Sequence, residues 1–93
     1  MNANEWHRQL VTDRFNEIGG IAARTEKALA PFVNEPIAKA TLRLRKLFEN
    51  AGTMLARGDI KLADLYCRQC DGALIELKTL AREARNSRLT IHR

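Results

Sequence analysis

The chain has 93 residues, 45% of them hydrophobic and 29% charged, with a formal net charge of +5. That length predicts one domain, residues 1–93, large enough for a core but not for an enzyme-sized pocket. No run approaches the roughly eighteen apolar residues of a membrane span, and "MNANEWHRQLVTDRF" lacks the basic and apolar blocks of a secretory signal, which points to a cytoplasmic protein without a membrane partner.

The first helix is predicted over about 4–31. Val11, Phe15, Ile18, Ala22, Thr25, Leu29 and Phe32 recur at spacings of three and four, the period of a buried helical face. That period runs through Gly19-Gly20, and two interior glycines cost about 2 kcal/mol relative to alanine. Either a neighbouring helix approaches closely there, or the helix kinks, or two short helices meet at a turn. Pro31 and Pro36 then end the element, because proline lacks the N–H and crowds the preceding turn.

In "NEPIAKA", Asn34 is placed to cap a second helix over about 35–57, with Pro36 where its missing N–H is harmless. Its seam is Ile37, Thr41, Leu44, Phe48, Ala51 and Leu55. Gly58 is a natural stop, and Asp59 can cap a third helix over about 60–86. So short a connection forces the second and third helices antiparallel. The third seam is Ile60, Ala63, Cys67, Cys70, Leu74, Leu77 and Ala81, widened by Leu62, Leu65, Tyr66, Ala73, Leu80 and Ala84. Residues 87–93 read as a frayed basic tail. The expected fold is therefore all-α: a small bundle of three principal helices, the second and third forming a hairpin and the long first helix packed across them. The run "AGTMLARGDIKLADLYCRQC" resembles one tetratricopeptide helix–turn–helix unit, but it covers one hairpin and has no second copy, so no membership follows.

Cys67 and Cys70 form a CxxC pair, but eight residues past the cap and with no strand before it, whereas redox pairs sit at helix N-termini. Zinc needs four ligands, and the remaining candidates, His7 and His92, lie near opposite ends of the chain. The two cysteines read as core, with no metal and no cofactor. Asp64, Asp71, Glu76 and Glu83 interleave with Lys61, Arg68, Lys78 and Arg82, and Asp64–Arg68 has the spacing of a surface ion pair. This is a solvated face rather than a catalytic dyad. "IGGIA" lacks the strand and lysine of a phosphate loop. No catalytic residue is predicted, and an enzyme is not expected.

Charge is distributed unevenly. Residues 1–33 balance to zero, residues 34–58 carry +3 and residues 59–93 carry +2. On the second helix Lys39, Arg43, Lys46, Asn50, Thr53 and Arg57 recur as a polar stripe about 27 Å long with no acidic member. Lys78, Arg82 and Arg85 make a second basic row. Lys39, Arg43, Lys46, Arg57, Lys78, Arg82 and Arg85 are candidate phosphate contacts, although no recognition helix or interleaved aromatic accompanies them. Leu42 and Ile75 fall outside the seams and are expected to face solvent or a second copy. Trp6 is either a partner anchor or a staple closing the end of the bundle. The function these features favour is a non-enzymatic helical protein that binds and regulates or inhibits a larger protein, acting as a homodimer. The partner surface would include Trp6, Lys39, Leu42, Arg43, Lys46, Arg57 and Ile75. A small nucleic-acid binder using the second helix is the competing expectation.

Overall fold

A computed structural model of the chain describes the backbone of residues 2–91 and the side chains of residues 2–87. Three helices follow one another: α1 (Ala3–Leu29), α2 (Glu35–Arg57) and α3 (Ile60–Ile91), with a 3-10 turn at Ala30–Phe32. Each starts at a side-chain cap that accepts an otherwise orphaned backbone N–H. Asn2 accepts from Glu5 at 2.8 Å, Asn34 from Ile37 at 2.9 Å and Asp59 from Leu62 at 3.2 Å. Asn34 and Asp59 cap as the sequence predicts. Asn2 sets the start of α1 just ahead of the expected position.

The α1 helix stops at Leu29 rather than at residue 31, because Pro31 cannot continue the hydrogen-bond ladder and the last turn tightens to 3-10. Gly58 ends α2 in the left-handed region at φ 81°. Its N–H donates to the Leu55 carbonyl at 3.1 Å and that of Asp59 to Met54 at 2.9 Å, the paired bonds of a Schellman stop. The α3 helix continues to Ile91, where a tail from residue 87 was expected. "REARNSRLTI" contains neither glycine nor proline, so nothing local interrupts the backbone once the apolar period ends. His92 and Arg93, the remainder of that tail, lie outside the described residues.

The closest packing is between α2 and α3, an antiparallel hairpin, and α1 packs across both. The molecule measures 60 × 19 × 17 Å. A 27-residue helix is about 40 Å long, so α1 fits only along the long dimension. The chain runs up, down and up, leaving α1 parallel to α3. Val11, Ile18 and Leu29 of α1 meet Ile37, Ala40, Leu44 and Ala51 of α2 and Ala63, Cys67, Cys70, Ala73, Leu74 and Leu77 of α3. Among the described residues no polar or charged residue is buried. Burying a side chain such as Leu77 or Ile37 is worth about 2 kcal/mol. One expected core residue is misplaced: Leu65 is 48% exposed. It lies about 100° around the helix from Tyr66, past the edge of the buried face.

The glycine pair does not break α1, which is helical throughout. Phe15 of α1 and Phe48 of α2 stack with ring centroids 4.3 Å apart and planes 3° from parallel. Each ring lies over a glycine of the opposite helix. A Cβ on Gly19 would stand 2.9 Å from Phe48, and one on Gly52 would stand 3.1 Å from Phe15. The missing side chains make room for the stack, and its packing offsets the propensity lost at Gly19. Gly20 meets only the tip of Arg24, so it has no comparable packing role.

Candidate interaction surfaces

Arginines on the bundle surface clasp the helices pairwise. Arg14 of α1 pairs with Asp71 of α3, and Arg43 of α2 pairs with Glu76 of α3. Arg45 of α2 grips Glu26 of α1 with two parallel bonds, Nε to Oε1 at 2.8 Å and Nη2 to Oε2 at 3.1 Å. These pairs are solvent-accessible and contribute little to stability individually, but together they mark which side of each helix faces which neighbour. The expected Asp64–Arg68 pair is present at 3.2 Å. Asp71 and Glu76, read from the sequence as part of a solvated face, instead reach across to the other helices.

The α2 stripe is consequently not the free cationic surface it resembles in sequence. Lys39, Arg43, Lys46 and Arg57 are all exposed. Arg43, however, is neutralised by Glu76, and Lys39 pairs with Glu35 at 3.1 Å. Glu83 lies two turns beyond Glu76 on the same side of α3. Carboxylates thus flank the first part of the stripe, Glu35 one turn before Lys39 on α2 itself and Glu76 across from Arg43 on α3, whereas Lys46 and Arg57 have no ion-pair partner among the described residues.

The other grooves follow from the same clasps. Taking 100° per residue, Ile75, Lys78, Arg82 and Arg85 continue the row begun by Asp71, on the side of α3 next to α1. Trp6, Leu10, Asp13, Glu17 and Arg24 form one row on α1 beside Arg14. The Arg14–Asp71 contact sets the axial register, so Arg24 lies level with Ala81 and Arg82. Arg24 lies back along α1, with Nη1 3.4 Å from the place of a Gly20 Cβ. Arg85 stands over the Phe32 ring at 5.9 Å.

Folding thus segregates the charge along the bundle. The half formed by residues 16–46 and 73–91 holds ten basic and five acidic residues, a net +5. The half formed by residues 2–15 and 47–72 holds five and six, a net −1. Glu26, Glu35 and Glu76 of the basic half are already paired. Arg24, Lys78 and Arg82 have no ion-pair partner among the described residues.

Large apolar side chains are exposed at separate places. Trp6 is 60% and Leu10 46% exposed, one turn apart on one face of α1, so Trp6 is not the staple that one reading made it. The α2–α3 turn comes beside Asn4, Glu5, His7 and Arg8 rather than over the Trp6 ring. Leu42 and Ile75 are exposed as expected, at 63% and 66%. They do not form one patch: Ile75 is about 40° from Asp71 on the α1 side of α3, and Leu42 is on the outer face of α2. Leu10 and Arg24 are the surface residues missed in the sequence. Their row, at spacings of four, three, four and seven from Trp6, was legible, but its mixed polarity gave no signal.

Cys67 and Cys70 are unpaired thiols with no exposed surface. Burial pushes both pKa values up, that of Cys70 to about 11, with Cys67 and Asp71 adding to it. Both thiols lie within the apolar core cluster and pack there as small apolar residues. Among the described residues no three metal-ligating side chains converge, and His92 is not among them. No described helix is long and apolar enough to cross a membrane. No family model, curated protein or solved structure matches the chain.

Proposed function

We propose that the chain is a non-enzymatic helical protein that docks on a larger protein and regulates or inhibits it, with the row Trp6–Leu10 on α1 as the anchor. The observation that carries this reading is the exposure of two large apolar residues, one a tryptophan, one turn apart on a capped and well-packed helix. Paired anchors at i and i+4 are how a helix enters a partner's groove, and tryptophan is enriched among interface hot spots. Homodimerisation belongs to the same reading, through the same row and not through Leu42 and Ile75, which point apart. A reducing cytoplasm suits a protein whose two thiols stay unpaired.

The test is Trp6→Ala/Leu10→Ala. Removing exposed side chains should leave stability within about 0.5 kcal/mol of wild type. Partner capture from the native host, and any dimer seen by light scattering at high micromolar concentration, should both be lost. A double variant that still captures the same partner with undiminished yield would refute the assignment.

A further inference from the structure

We infer that the cationic end of the α1/α3 face, built from Arg24, Lys78, Arg82 and Arg85, is a binding site for the phosphate backbone of a nucleic acid. The four residues come from two parallel helices placed side by side by the Arg14–Asp71 clasp. Lys78, Arg82 and Arg85 rise along α3 in steps of four and three residues, about 4.5–6 Å each, and the backbone of Arg24 lies level with Arg82 on the neighbouring helix, its guanidinium reaching back about one turn to Gly20. Helices in contact lie about 8–10 Å apart, so the cations form a short double row rather than a single line. A row of that pitch follows successive phosphates along a strand.

Two further observations favour a phosphate backbone over an acidic protein. Three of the five acidic residues of this half are taken by other cations, Glu26 by Arg45, Glu76 by Arg43 and Glu35 by Lys39, while Glu17 lies two turns below Arg24 and Glu83 on the α2 side of α3. Nothing on the two rows between Lys78 and Arg85 neutralises the cluster. In addition, Ile75 is the one strongly exposed large apolar side chain on this row among the described residues, and none follows it from Lys78 to Ser87, so the row has no i, i+4 pair of anchors like that on α1. Non-specific nucleic-acid binding needs only cations that displace condensed counterions. The paired anchors Trp6 and Leu10 sit at the opposite, near-neutral end, so the two ends of one bundle offer chemically different surfaces.

The experiment is fluorescence anisotropy with a labelled single-stranded RNA and a labelled DNA duplex, each of about twenty nucleotides per strand, long enough to span the cluster. Four contacts predict a salt slope near −3.6 on duplex, hence roughly 100-fold weaker binding at 200 mM than at 50 mM salt. Arg24→Glu/Lys78→Glu/Arg82→Glu should abolish binding while its circular dichroism melt matches wild type. If that triple variant melts early, Lys78→Gln alone should still reduce the slope by about one unit. Lys46→Glu/Arg57→Glu, which leaves the Arg43–Glu76 clasp intact, should bind as wild type. So should Trp6→Ala/Leu10→Ala, which separates this site from the protein-docking reading. The inference is overturned by no binding of either probe at 50 mM salt or by loss of binding in the α2 variant. Binding to phosphatidylserine vesicles without binding to RNA or DNA would overturn it equally.

Discussion

Replacing Gly19 with alanine should destabilise the bundle, although alanine is the better helix former. On propensity alone the change gains about 1 kcal/mol. The added methyl, however, would stand 2.9 Å from Phe48 Cζ, inside van der Waals contact, and the ring is pinned against Phe15. Moving it disturbs a stacked pair worth about 0.5–1.5 kcal/mol beyond its buried area. Overpacking of this kind costs about 1–3 kcal/mol. The expected net loss is therefore on the order of 1–2 kcal/mol. Gly20→Ala is the internal control, since its methyl meets only the tip of the exposed Arg24 side chain at 3.4 Å and should stabilise by up to about 1 kcal/mol. Two adjacent substitutions of identical chemistry should thus differ by about 2 kcal/mol, or roughly ten degrees in melting temperature for a domain of this size. Urea unfolding followed by far-ultraviolet circular dichroism measures it, with the midpoint shifting and the slope constant. Phe48→Leu should remove most of the penalty of Gly19→Ala in a double-mutant cycle. Equal stability of Gly19→Ala and Gly20→Ala would refute the interlock.

Two further outcomes follow from the core and the turn. Because burial raises the Cys70 pKa from 9.0 to about 11, the folded state holds its proton more tightly than the unfolded one. The stability tied to that proton is complete below pH 9 and falls as pH rises towards 11, a loss on the order of 2 kcal/mol. Urea midpoints between pH 8 and 11 should show this decline, and Cys70→Ala, less stable by about 1 kcal/mol at neutral pH, should show a shallower one; identical pH profiles would contradict it. Gly58→Ala should cost about 1–2 kcal/mol, since its φ of 81° is strained for any residue with a Cβ. A melting temperature equal to wild type would mean that the hairpin turn adopts another conformation.

Helix positions and inward faces were legible in the sequence because both are local properties. Ile37, Leu44 and Ala51 repeat at helical spacing whatever they pack against, and Asn34, Gly58 and Asp59 mark ends by their own backbone and side-chain chemistry. The two cysteines could be placed in the core for the same reason: their position on the α3 seam needs no knowledge of the neighbours. Tertiary structure alone decided which groove each surface residue enters, since that depends on the rotation and axial register of one helix against another. Glu76, more than thirty residues away in the chain, pairs with Arg43 of the α2 stripe. Asp71 brings Arg14 level with it and so sets the Arg24 backbone level with Ala81 and Arg82. The same relative rotations set Phe48 over Gly19 and turned Leu42 and Ile75 apart. A single helix carries its period within itself, whereas the pairing of charges between helices exists only once all three have packed.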